Sequence, residues 1–252
     1  MNNSKTKPLL YILPLVLLLT ACEYCGQQRI AAAISDAGRT EQDRQRDLES
    51  KPAEILKLLN LGEGAQVADL FAGGGYYSEL LGHIVGEKGK VIAHTVEIYH
   101  KILGDALEKR FKDRMPQVHV YAAEPNDIEL GSETLDAAIM IMSYHDLYLS
   151  KPEAPTDASK FIDKIYFALK PGGKLLIEDH QARPGAGNSD SGTLHRIEEG
   201  FAMNDLENHG FKLVATSQVL RSAEDDHSKN VFDPAIRGKT DRFVLLFEKP
   251  KK

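Results

Sequence analysis

The sequence contains no tryptophan and only two cysteines in 252 residues. Two cysteines exclude a disulfide-built scaffold and a cysteine-rich zinc module. Basic residues are in deficit as well, with 31 Lys and Arg against 37 Asp and Glu, a formal charge of −6. Such a chain has no broad face with which to neutralise phosphates, so general nucleic-acid affinity is not expected. Long hydrophobic runs are also missing. The most apolar stretch, Leu9 to Ala21, has 13 residues and is interrupted by Pro14, short of the about 20 that a bilayer-spanning helix needs. Charged residues at 27% and hydrophobic ones at 42% lie near globular averages, which excludes wholesale disorder and a collagen-like fibre. The length suits one α/β domain, with or without a tail.

What is present begins at the N-terminus. Lys5 and Lys7 precede the short apolar run, the arrangement of a secretory signal peptide. The run closes with Leu19-Thr20-Ala21-Cys22, which is similar to the lipobox of bacterial lipoproteins. That resemblance implies cleavage after residue 21 and lipidation of Cys22, with several acyl chains giving lasting membrane attachment. The expected location is extracytoplasmic, anchored by lipid to the bacterial envelope. Glu23 stands where the family's inner-membrane retention signal has Asp, which favours the outer membrane if there are two. Cys22-Glu23-Tyr24-Cys25 is formally a C-x-x-C pair, but no second pair accompanies it and no strand-to-helix pattern surrounds it. Cys25 is left without a task. Cleavage leaves 231 residues and, with the loss of Lys5 and Lys7, a charge of −8. Residues 22–43 carry few large apolar groups and are expected to form a lipidated tether, with the folded domain over 44–252.

Within that domain, strand and helix patterns alternate. Candidate strands are Gln66–Phe71, Lys90–Thr95, Val118–Tyr121, Leu135–Ile141, Lys174–Glu178, Leu213–Gln218 and Arg242–Glu248. Between them lie helical apolar sets such as Leu80, Leu81, Ile84 and Val85, then Phe161, Ile165 and Leu169. A later set, Ile197, Phe201 and Leu206, is closed by Gly210. The alternation predicts an α/β fold: a doubly wound, seven-stranded, mostly parallel Rossmann-like sheet. The last two strands are joined without a clear helix, which suits an antiparallel final strand.

The run Val67-Ala68-Asp69-Leu70-Phe71-Ala72-Gly73-Gly74-Gly75-Tyr76 passes from a strand into a helix. Glycines there allow a sharp turn and leave the backbone bare for a ligand at the first strand–helix turn of the sheet. No Gly-Lys-Ser/Thr follows, so the run is not a P-loop. It resembles motif I of class I S-adenosylmethionine-dependent methyltransferases, and Lys170-Pro171-Gly172-Gly173-Lys174 is similar to the turn before their fifth strand. More narrowly, Gly73 to Tyr77, Tyr144-His145-Asp146-Leu147, Glu178-Asp179-His180, Asp225-Asp226-His227 and Phe232 to Lys239 resemble a branch of predicted extracytoplasmic methyltransferases. This resemblance implies S-adenosylmethionine as cofactor, held by Asp69, Gly73, Gly74, Gly75, Glu97 and Glu124. Two departures bear on that set. The usual ribose-binding acid at the end of the second strand is replaced by Thr95, with Glu97 two residues on. After the third strand, Glu124 and Asp127 are both available for the adenine position.

His145-Asp146 follows the fourth candidate strand, and Asp179-His180 closes the fifth. Imidazole beside carboxylate supplies a general base tuned near neutral pH. Tyr144, His145, Asp146 and His180 are the candidate catalytic residues, with Tyr144, His145 and His180 facing the acceptor. The alternative is a divalent metal held by His145, Asp146, Asp179 and His180. His195, Asp226 and His227 are candidates to approach from later loops. Arg183, Arg237 and Lys239 either bind an anionic substrate group or pair with acids such as Asp233 and Asp241. The expected activity is methyl transfer to a small molecule or an envelope component. Metal-assisted His/Asp chemistry and non-catalytic binding of a small ligand are the alternatives.

Overall fold

In the computed structural model, which describes residues 25–149 and 155–251, seven strands form one sheet in the order β3-β2-β1-β4-β5-β7-β6. They are β1 (Gln66–Leu70), β2 (Lys90–Thr95), β3 (Val118–Ala122), β4 (Leu135–Ile141), β5 (Leu169–His180), β6 (Lys212–Ser217) and β7 (Arg242–Glu248). β1 to β5 pair in parallel, and β7 runs antiparallel between β5 and β6. The strand order reverses beside β1, between its partners β2 and β4, which opens a crevice at the strands' C-terminal ends. The doubly wound fold and its antiparallel last strand are as the sequence predicts. The fifth strand is longer than expected. It extends back across the Gly172-Gly173 turn, with a register shift opposite Leu135 and Ala137, and forward through His180.

Side chains that alternate along each strand divide the core in two. Ala68, Leu70, Met140, Ile177 and Phe243 pack on the face covered by α7 (Ala158–Ala168) and α9 (Glu199–Asn208). Val67, Ile139, Leu176 and Val244 pack on the opposite face with α3 (Pro52–Leu59) and α4 (Tyr76–Val85). Helix starts follow local chemistry. α2 (Glu41–Ser50) opens with a capping box in which Thr40 accepts from the Asp43 N–H and the Asp43 carboxylate accepts from the Thr40 N–H. α3 begins at Pro52, whose missing N–H costs nothing in the first turn.

The folded body starts earlier than position 44. Helix α1 (25–35) buries Ile30 and Ala33 in the same cluster as Ile55, Leu59 and Ile84. Arg39 is buried against Asp47 at 2.7 Å, and Asp43 is buried against Arg110 at 2.7 Å. Residues 25–43 therefore pack onto the domain rather than forming a free tether; two well-placed apolar side chains and two ion pairs suffice where mean apolar content is low. The expected signal peptide, 1–21, and the lipidation site, Cys22, lie outside the described residues. Cys25 is an exposed free thiol. Ile197, expected on a helix, precedes α9 and forms an isolated parallel bridge with Gln181 instead.

Candidate active site

The glycine loop leaves β1 and enters α4. Gly73 and Gly75 have φ of +57° and +80°, which glycine adopts without strain. Side chains added at Gly73 or Gly74 would meet nothing within 4 Å, so this stretch of backbone is bare and open. A Cβ at Gly75 would instead stand 2.7 Å from Phe111 and 2.8 Å from Leu107. The first two glycines thus expose backbone, and the third lets α6 (Ala106–Phe111) pack close. Asp69, just upstream, is buried on the α4 face and accepts the Ser78 hydroxyl at 2.6 Å. Burial pushes its carboxyl up to about 6, against the Ser78 hydrogen bond and the nearby Arg46 charge.

At the end of β2 the arrangement departs from expectation. Glu97 opens α5 (Glu97–Leu103) with its side chain in solvent, 2.7 Å from Lys101. Its N–H donates to Glu124 at 2.9 Å, which joins the ends of β2 and β3 through backbone and carboxylate. Glu124 is thereby tied to this corner, whereas Asp127 lies exposed in a 3-10 turn, Pro125–Asp127. His94 is the residue the sequence reading missed. Fully buried, it accepts the Phe71 N–H on Nδ1 (3.2 Å) and donates from Nε2 to the Ala123 carbonyl (3.0 Å). Its burial holds the imidazole down at about 4, so it is neutral and clamps the glycine loop to β3. The signal for it was a polar residue at a strand position that alternation turns inward.

The second neighbourhood lies at the ends of β4 and β5. Asp179 accepts the His145 N–H with Oδ2 at 2.8 Å and contacts His145 Nδ1 with Oδ1 at 2.8 Å. His145 Nε2 then faces His195 Nδ1 at 3.2 Å and Asp146 Oδ1 at 3.3 Å. The other Asp146 oxygen accepts the Tyr99 hydroxyl at 2.8 Å. Burial opposes charge on His145, yet Asp179 outweighs it and holds this imidazole above its ordinary value. His195 is shifted the other way, by burial and by its neighbour His145. Asp179, His145 and His195 form a hydrogen-bonded row, an arrangement of the kind that general-base chemistry uses.

His180 lies beside this row, its ring 6.3 Å from that of His145, but bonds a different partner. Adjacent residues of a strand point to opposite faces, so Asp179 turns toward His145 while His180 turns toward α2. There His180 Nδ1 meets the Thr240 hydroxyl at 2.8 Å, and burial depresses its imidazole to about 3. It lines a cavity of about 770 Å³ with Gln45, Arg46, Phe232 and Arg237. The expected metal set of His145, Asp146, Asp179 and His180 is therefore corrected. Among the described residues, His145 and Asp146 share a cluster of ligand atoms within 4.8 Å of one another with His195, not with Asp179 or His180; Asp179 spends both oxygens on His145 and on the His180 N–H at 2.7 Å, and Thr240 holds Nδ1 of His180. Tyr144 is also corrected as an acceptor-facing residue. It is fully buried, and its hydroxyl is held by Asp205 on α9, close to Tyr148.

The later loops divide similarly. His195 follows the short helix α8 (Ser191–Leu194) and arrives at the site, held at a left-handed φ of +55°. Asp226 stays exposed beside Ser228, and His227 meets Asp241 at 3.1 Å. Arg183, its side chain more than half exposed, pairs with Asp190 at 2.9 Å. Arg237 lies on the cavity, and Lys239 is exposed. Arg196, unremarked in the sequence, is buried and bidentate to Asp225 at 2.9 and 3.0 Å, pinning the loop that carries His195.

Comparison with known proteins places this geometry. The family model for protein-L-isoaspartate(D-aspartate) O-methyltransferase matches residues 46–131, about a third of the chain. No curated protein matches. Among solved structures, a SAM-dependent methyltransferase from Aquifex aeolicus is 27% identical with a TM-score of 0.59, over 81% of this chain and 92% of that one. The [4+2]-cyclase SpnF shares the fold at 18% identity and a TM-score of 0.58, with 86% of each chain covered. The arsenic(III) S-adenosylmethionine methyltransferase of Chlamydomonas reinhardtii shares it at 14% identity and 0.56, over 88% of this chain and 73% of that one. The crevice beside β1, the bare glycine turn and these matches together give the chain the class I S-adenosylmethionine-dependent methyltransferase fold.

Proposed function

We propose that this protein is an S-adenosylmethionine-dependent methyltransferase, lipid-anchored through Cys22 outside the cytoplasm, that acts on a small molecule or an envelope component. The observation that carries the reading is the turn Ala72–Gly75. Its backbone is bare at Gly73 and Gly74, and the positions a Cβ would fill there are open. Asp69 and Glu124 flank it, one buried behind the turn and one at the end of β3. These residues fit the donor, and when bound it would supply a methyl group on an electrophilic sulfonium. The rest is positioning and proton handling by the chain. His145, oriented by Asp179, takes the acceptor proton. His180 is too strongly depressed to serve as the base near neutral pH and instead shapes the wall of the cavity beside α2.

A second reading, the same fold working without the methyl donor, is favoured by one observation. Glu97, the acid expected to bind the ribose at the end of β2, turns to solvent and to Lys101. Calorimetry on the purified full-length chain separates the two. Saturable binding of both S-adenosylmethionine and S-adenosylhomocysteine supports the methyltransferase; absence of heat with both overturns it. Anchoring is tested independently by radiolabelled fatty acid, whose incorporation Cys22→Ser should abolish.

A further inference from the structure

Two clusters of potential metal ligands occur among the described residues. The first, Asp36, Glu79 and His83, is blocked at Glu79. Both Glu79 oxygens are taken, by Arg110 at 2.6 Å and Arg114 at 2.5 Å, so an added cation would have to displace two guanidinium groups. The second is different. His145 Nε2 stands 3.2 Å from His195 Nδ1 and 3.3 Å from Asp146 Oδ1, and all three ligand atoms lie within 4.8 Å of one another. Bonds of about 2.0–2.1 Å at a tetrahedral angle set ligand atoms roughly 3.3 Å apart. The two edges that meet at His145 Nε2 have the length of a tetrahedral edge.

We propose that His145, Asp146 and His195 form a site for one divalent transition-metal ion of the zinc type, with its remaining position open to a ligand. The supporting residues fit this role. Asp179 engages Nδ1 of His145, which leaves Nε2 directed at the centre of the cluster. A carboxylate behind a ligating imidazole is the recurrent way of orienting it. Tyr99 donates to Oδ2 of Asp146 and leaves Oδ1 for the ion. Asp225 pins Arg196, the next residue after His195, so the third ligand arrives on a fixed backbone. Two imidazoles and one carboxylate suit zinc and its neighbours over magnesium or calcium, which prefer oxygen. Half-buried His195 and Asp146 leave an approach from solvent. This differs from the set expected from sequence: His195 replaces Asp179 and His180 as ligands, and Asp179 becomes a positioning residue. The inference does not rest on the methyl-donor reading, because the ion needs neither Gly73 nor Glu124; with the ion in place His145 Nε2 is a ligand, so His145 takes the acceptor proton only in the metal-free chain.

The test uses the full-length chain in a Cys22→Ser, Cys25→Ser background, so that no thiol competes. After chelator treatment, Zn2+ is titrated by calorimetry and Co2+ by visible absorption. One equivalent should bind, and Co2+ should give the intense d–d bands of a four-coordinate site. His195→Ala and Asp146→Asn should each weaken Zn2+ binding and remove those bands. Asp179→Asn should weaken it about 10–100-fold. His195→Gln, on a half-exposed loop, serves as a milder variant, with circular dichroism checking that each chain is folded. No saturable binding to the folded chain, or binding that survives both His195→Ala and Asp146→Asn, would overturn the site. Neither result depends on whether S-adenosylmethionine binds.

Discussion

Asp179 holds His145 at two points, by its backbone N–H at 2.8 Å and by its ring at Nδ1 at 2.8 Å. The backbone bond fixes where the histidine sits, and the ring bond fixes which nitrogen faces outward. Burial alone would lower the imidazole; the carboxylate reverses that and keeps it above its ordinary value, while burial's pull on Asp179 is in turn outweighed by His145. Asp179→Asn removes the charge with little change of shape. The His145 titration midpoint, followed by NMR in the metal-free chain, should then drop below the ordinary histidine value of about 6.5. A midpoint that stays where it was would mean that Asp179 does not govern this imidazole.

The three glycines of the turn make opposite demands, which two substitutions separate. Gly75→Ala forces a Cβ into Phe111 and Leu107 at a φ of +80°. It should cost about 1–3 kcal/mol of stability, read as a lower melting temperature. Gly74→Leu meets open space and should leave the melting temperature unchanged. It covers backbone that the donor would approach, however, and should weaken S-adenosylhomocysteine binding about tenfold or more, or about 1.4 kcal/mol. Equal effects of the two on stability would refute this division of labour.

Buried neutral His94 makes stability depend on pH. Its folded value of about 4 lies below the ordinary 6.5. The unfolded chain therefore binds the proton more readily, and stability rises with pH across that window. The contribution is fully present above about 6.5 and is lost as pH falls through about 4, a difference of roughly 3 kcal/mol. His94→Gln lacks this titration. The stability gap between wild type and His94→Gln, measured by urea unfolding, should narrow steadily from pH 7 to pH 4. Taking the difference removes the groups common to both chains, including Asp69, whose own dependence has the opposite sign.

The strands were legible because each presents an apolar run or an alternating one bounded by turn residues. The range of β7, Arg242–Glu248, emerges unchanged, as do those of β2 and β4. The site was legible only in part, and the reason is geometric. His145-Asp146 and Asp179-His180 read as two like pairs, but period-2 alternation sends Asp179 and His180 to opposite faces. One therefore supports His145, and the other meets Thr240, 60 residues further along the chain. Tyr144 was expected to face the acceptor; its partner, Asp205 on α9, is 61 positions away. The packing of residues 25–43 likewise depends on Arg110 and on the α3–α4 surface, partners that composition alone does not reveal.

Asp69 shows how a site residue can work against the fold that carries it. Its carboxyl is buried on the α4 face with one hydrogen bond, from Ser78, and the charge of Arg46 nearby. These do not compensate for lost solvation, and the folded value stands at about 6 against 3.8 in the unfolded chain. A raised carboxylate value means that the ionised form disfavours the folded state. The penalty is present above about pH 6, shrinks as pH falls, and is gone below about 3.8. Asp69→Asn keeps an oxygen for Ser78 and removes the charge. At pH 8 it should stabilise the protein by up to about 3 kcal/mol, with the gain fading toward pH 4, as thermal or urea unfolding would measure. If the carboxylate is retained for the donor, the same variant should bind S-adenosylmethionine more weakly at pH 8. A gain over wild type that is no larger at pH 8 than at pH 4 would show that Ser78 and Arg46 already compensate the buried charge.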